Sequence, residues 1–113
     1  MNNDVVVQFP SGFLASRRAA IPFRKQIKAG LMDPSVRQVR IDLNGVESIS
    51  ESFADESIGV LVKMCGFDTV KSKIKLINAD RAVARSIAEA MLIRKKEKET
   101  GSIASAMAAL AIG

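Results

Sequence analysis

Residues 36–43 read Val-Arg-Gln-Val-Arg-Ile-Asp-Leu, and from Gln38 onward polar and apolar side chains alternate without a break. Successive side chains of a strand point to opposite faces. Val39, Ile41 and Leu43 therefore share one face, and Gln38, Arg40 and Asp42 share the other. A strand covered by helices on both sides would be apolar throughout. The pattern calls for a sheet with one buried face and one that is at least partly wet. Residues 73–77 repeat it, with Ile74 and Leu76 alternating with Lys73 and Lys75.

The rest of the chain supplies elements around that strand. Val5-Val6-Val7-Gln8-Phe9 is rich in β-branched residues and reads as a strand. Pro10-Ser11-Gly12 signals a turn, after which Phe13–Ser16 is expected to return as the second arm of a hairpin. A helix is expected from about Ala20 to Ala29, because Ala20, Phe23, Ile27 and Leu31 recur on one helical face. Pro22 belongs in its first turn and Gly30 at its C-cap. Residues 44–51 are rich in turn formers and read as a connection. A second helix is expected from Ser52 to about Cys65, with Ala54, Ile58, Leu61 and Cys65 as its apolar stripe, widened by Phe53, Val60 and Met64. Asp55, Glu56, Gly59 and Lys63 fall opposite that stripe, and Gly66 ends the helix. Asn78-Ala79-Asp80 caps a third helix over 81–93 that buries Val83, Ile87 and Met91.

Strands joined through helices imply parallel pairing and right-handed crossovers. The expected fold is α/β: a mostly parallel sheet with an N-terminal strand or hairpin, and helices mainly on one face. The domain is expected to occupy residues 1–93. Residues 94–113 form a charged linker, a break at Gly101-Ser102 and an Ala-rich apolar tail. That tail is expected to pack on the domain or on a second copy, giving a homodimer.

Several kinds of chemistry are closed to this chain. It has no histidine among its 113 residues, so the commonest general base and metal ligand is missing. Cys65 is its single cysteine, which rules out an internal disulfide and a Cys-rich metal site and suits a reducing, cytoplasmic setting. No metal, cofactor or catalytic residue is expected, and the chain reads as a non-enzyme. No stretch approaches the ~20 apolar residues needed to span a bilayer, so no membrane association is expected. The net charge of +5 makes a basic nucleic-acid-binding protein the alternative reading. The basic residues are scattered, however, and no aromatics interleave with them to stack bases.

Polar chemistry concentrates in one place. The strand at 36–43 runs into Ser48-Ile49-Ser50-Glu51-Ser52-Phe53-Ala54-Asp55-Glu56. In open parallel sheets the binding surface forms beyond the carboxyl ends of the strands. Ser52 with Asp55 fits a capping-box-like helix start. A phosphate on a serine at a helix N-terminus would meet free N–H groups and the positive end of the dipole. It would also add roughly −1.5 to −2 charge to a docking face.

Residues 41–46, Ile-Asp-Leu-Asn-Gly-Val, followed by residues 49–56, Ile-Ser-Glu-Ser-Phe-Ala-Asp-Glu, resemble the STAS-like domain family of unknown function. Ser16-Arg17, Ala19-Ala20 and Arg24 add to the likeness, which extends over residues 5–94. The family is similar to anti-sigma factor antagonists, whose STAS domains are bound by a serine kinase of the histidine-kinase-like ATPase fold. The resemblance implies a non-enzymatic, bacterial, cytoplasmic regulator that docks such a protein. In the antagonists the loop reads D-S-S-G and its second serine accepts phosphate; Ser52 takes that position here. Ser50, Glu51 and Phe53 depart from the motif, and the bulk of Phe53 is expected to stand in a kinase's way. The docking residues so implied are Ser48, Ser50, Glu51, Ser52, Phe53, Asp55, Glu56 and Gly59.

Overall fold

The computed structural model describes residues 3–110, with side chains through residue 98. Strand β1 (Asp4–Gln8) pairs in parallel with β3 (Gln38–Asp42), and β3 pairs in parallel with β5 (Ile74–Ile77). The order β1-β3-β5 marches one way across the sheet. Crossovers of a single hand then put every connecting helix on the same face. Val7, Val39 and Ile41 are fully buried on that face. Val6, on the other face, is 58% exposed. The alternation in the sequence is the direct record of this asymmetry.

The expected hairpin does not form. Strand β2 (Gly12–Leu14) pairs instead with β4 (Val46–Ile49), again in parallel. Asp4 faces Gln38, Gln8 faces Asp42 and Gly12 faces Val46, so one register runs from the first pair of strands into the second. The Phe9 N–H donates to the Asp42 carbonyl at 3.0 Å and the Gly12 N–H to the Gly45 carbonyl at 2.8 Å. The two short sheets are thus one long parallel ladder with an interruption, and Pro10-Ser11-Gly12 kinks the strand rather than reversing it. Positive φ values at Gly12 (92°) and Gly45 (84°) place the kink where glycine is favoured. Strand β4 falls within residues that the sequence marks as a connection. A register shift after Gly12 gives it a buried-exposed-exposed-buried pattern that no simple alternation reveals.

Helix α1 (Arg17–Met32) starts three residues earlier than expected, because the Ser16 side chain caps it by accepting from the Ala19 N–H at 3.2 Å. Pro22 consequently lies in the second turn, on the exposed side. Gly30 is not a cap. It is buried inside α1, where an added Cβ would come within 2.7 Å of a Val39 methyl carbon. The actual C-cap is Asp33, and the Lys73 ammonium donates to the carbonyls of Leu31 (3.0 Å) and Asp33 (2.8 Å) at that end.

Helix α2 runs over residues 51–65. It opens with an α-turn (Glu51–Ala54), widens into a π-helical segment (Asp55–Gly59) and returns to α-geometry (Val60–Cys65). The π-segment adds a residue to the ladder and rotates everything after it. The buried set is therefore Phe53, Ala54, Ser57, Ile58, Gly59, Leu61 and Val62, while Met64 is 53% exposed. Ser57 is fully buried, and its hydroxyl donates to the Phe53 carbonyl at 2.7 Å. A short helix absent from the sequence expectation, α3 (Phe67–Lys73), follows Gly66 and buries Val70.

Helix α4 (Arg81–Leu110) buries Val83, Ile87 and Ala90 against α2 and continues without a break through Gly101-Ser102. The expected end at residue 93 and break at 101–102 are corrected accordingly. What the apolar tail packs on, and residues 111–113, lie outside the described residues. Among the described residues no helix is long and apolar enough to cross a membrane.

Candidate functional site

The ladder β2–β4 delivers two helix starts side by side: Ser16 caps α1 and Ser50 caps α2. The Ser50 hydroxyl accepts from the Phe53 N–H at 3.0 Å and donates to the Ala15 carbonyl at 2.7 Å, tying the two starts together. This corrects the expected capping box. Because β4 runs to Ile49, the first residue free to cap is Ser50, and Ser52 already lies within the first turn. Ser52 is thereby released from backbone duty. It is half-buried, and among the described residues no hydrogen bond uses its hydroxyl.

Ser52 borders a groove of about 380 Å³ between the start of α2 and the outer turns of α4. Ser86, Ala90 and Ile93 of α4 contribute to its lining. Asp55 lies at its polar centre, held from two elements. Arg94 makes a two-pronged pair with the carboxylate, Nε to Oδ1 and Nη2 to Oδ2, both at 2.7 Å. Arg17 adds a contact to Oδ2 at 2.8 Å. The hydrogen bond from Arg94, then that from Arg17, hold the Asp55 carboxyl below its usual pKa against the opposing effect of burial. Asp55 in turn raises the Arg94 guanidinium above its ordinary value.

The other implied residues divide sharply. Ser48 and Glu51 are exposed at the rim, with Ser50 half-buried beside them. Glu56 is paired with Arg24 at 3.0 Å. Phe53 is only 1% exposed, and its ring packs with Phe9 and Phe23 at centroid distances of 5.6 and 6.2 Å. Its ring lies in the core and presents almost no surface at the rim, contrary to both expectations for it. Gly59 is likewise buried and is withdrawn from the docking set. A Cβ there would meet Asp55 Oδ1 at 2.6 Å and the Ala90 carbonyl at 3.2 Å, so its bareness lets α4 approach and Asp55 fold back toward Arg94.

Three residues escaped the sequence reading of the site. Arg17 entered only as part of the family resemblance and Arg94 only as a basic residue, and their shared carboxylate is 38 and 39 positions away. Phe13 is 76% exposed on β2, paired in register with Ser48. An aromatic residue spent on solvent next to the rim is a feature of docking surfaces. No group of three or more His, Cys, Asp or Glu side chains among the described residues is placed to hold a metal ion.

A family model described as a STAS-like domain of unknown function matches residues 19–84. The chain belongs to this STAS-like family. The matched span holds most of α1, the strands β3, β4 and β5, all of α2 and the first turn of α4. It includes Ser52 and Asp55, whereas Arg17 and Arg94 fall on either side of it. No curated protein matches the chain.

Proposed function

We propose that this STAS-like domain is a non-enzymatic, cytoplasmic regulatory module resembling an anti-sigma factor antagonist. It docks a histidine-kinase-like ATPase or similar regulator through the rim where β4 passes into α2. Phosphorylation of Ser52 switches the contact off. The observation that carries this reading is the division of labour between two serines. Ser50 does the capping, and Ser52 presents an unengaged hydroxyl at an accessible groove. The docking surface consists of Phe13, Ser48, Glu51 and Ser52, with Ser50 behind them; Asp55 and Glu56 support it through their arginine pairs. Phe13 supplies the apolar anchor, since aromatic side chains dominate binding energy at such patches.

The charge distribution disfavours the nucleic-acid alternative. Arg17, Arg24, Arg37, Arg40 and Arg94 are each paired with a carboxylate, and Lys73 is spent on carbonyls at the end of α1. These six basic groups are thus committed within the domain rather than offered to a phosphate-binding stripe.

The test is affinity capture with the wild-type chain, Ser52→Asp and Phe13→Ala, read by mass spectrometry. The wild type is expected to enrich an ATPase of that fold, and each variant to lose at least most of it while keeping a native circular-dichroism spectrum. Equal enrichment by all three chains, or enrichment of no such ATPase, would overturn the reading.

A further inference from the structure

We propose that Arg17 is a switchable counter-ion, paired with Asp55 in the unmodified chain and transferred to the phosphate when Ser52 is phosphorylated. This rests on the reading of Ser52 as the acceptor. Ser52 and Asp55 are three positions apart on α2, so their side chains are neighbours, with Cβ atoms about 5–6 Å apart. Both line the groove that Arg17 and Arg94 also line. A phosphate on Ser52 therefore enters the space around the Asp55 carboxylate.

The two guanidiniums are not equally committed. Arg94 grips Asp55 with two hydrogen bonds of 2.7 Å and its side chain is 23% exposed. Arg17 makes one, at 2.8 Å, and its side chain is 48% exposed. Arg17 can leave without stripping Asp55 of its partner; Arg94 cannot. The remaining charged lining is acidic: Glu51, Glu89 and Glu97 stand around the same groove. A phosphate there without a guanidinium would be strongly repelled. With three acceptor oxygens and roughly −1.5 to −2 charge, it outcompetes a carboxylate already satisfied by Arg94.

In the modification itself, the Ser52 Oγ–P bond forms as the β–γ phosphoanhydride bond of the kinase's ATP breaks. ADP departs, and the hydroxyl proton passes to the kinase's base. The transfer of Arg17 then exchanges its tie to Asp55 for one to the phosphate, both on α2, and leaves the Asp55 carboxylate to Arg94 alone.

The experiment installs phosphoserine at position 52 during translation, so that no kinase is needed, and follows the phosphate by 31P NMR through a pH titration. The second pKa of an unpaired phosphoserine is about 6. In the parent chain it is expected to lie lower, on the order of one unit below the value in Arg17→Ala. Arg17→Lys, which keeps the charge but not the fork, should fall between them. Matching titrations in the parent and Arg17→Ala, with both folded by circular dichroism, would overturn the counter-ion role. The titration involves no partner, so its failure is separate from a failure of the docking reading. Loss of capture by Ser52→Asp with no Arg17 effect removes this inference alone.

Discussion

Helix α2 has two flanks, and they are held by different physics. Toward the sheet and the inner face of α1 it is apolar: Phe53 closes an aromatic cluster with Phe9 and Phe23, Ile58 and Leu61 are fully buried, and the Arg24–Glu56 pair lies at the edge. Toward α4 a small residue, Gly59, meets Ala90, and beyond it lies the Arg17–Asp55–Arg94 cluster. Packing of the first kind is fixed by shape and tolerates no rearrangement. A charge cluster of the second kind can exchange partners within the same frame. The side of α2 that faces α4 is therefore where a change of charge at Ser52 can be felt, while the aromatic side holds the fold still.

Three experiments sharpen that contrast, in descending order of effect. Phe53→Ala removes a ring packed on two others, and chemical denaturation should show a loss of ~3–5 kcal/mol. A loss below 1 kcal/mol would mean the aromatic flank is not the rigid one. Asp55→Asn keeps the shape but removes the charge opposite Arg94, and should cost ~1.5–3 kcal/mol at neutral pH. This loss should itself depend on pH. The native Asp55 carboxyl titrates below its unfolded value of 3.8, so its contribution is complete above that value and fades as pH falls through the lower native one. The wild type should lose its advantage over Asp55→Asn in that acid range; a constant gap would show that the pairing does not supply it. Least in size, Ser50→Ala should cost ~1 kcal/mol as a lost helix cap. Ser52→Ala should leave thermal stability nearly unchanged, and the reverse ranking would return capping to Ser52.

How far these features could be read beforehand follows from the range of the forces involved. Strands β3 and β5 were legible because burial on one face writes a two-residue period into the chain, and β1 because its residues are β-branched. Strand β4 was not, since its register shift breaks that period. The choice between Ser50 and Ser52 as cap depended on where β4 stops pairing with β2, which no local pattern records. The stripe Ala54, Ile58 and Leu61 is buried as a regular helical turn predicts, but the π-segment at 55–59 also brings Ser57, Gly59 and Val62 inward and leaves Met64 in solvent. The site's hydroxyls and carboxylates were visible as a cluster, but which of them point inward was not. Phe53 and Gly59 go to the interior and Phe13 goes to the surface.

The amino-acid sequence alone determined the one-sided sheet, the parallel crossovers, the family and the segment that carries the polar rim, because each is written in local periodicity or in a contiguous run of residues. Tertiary structure alone decided that the first turn continues a ladder instead of reversing it, and that Arg17 and Arg94 meet on Asp55. Those outcomes depend on backbone pairing and side-chain approach between segments more than thirty residues apart, where the chain's order leaves no trace.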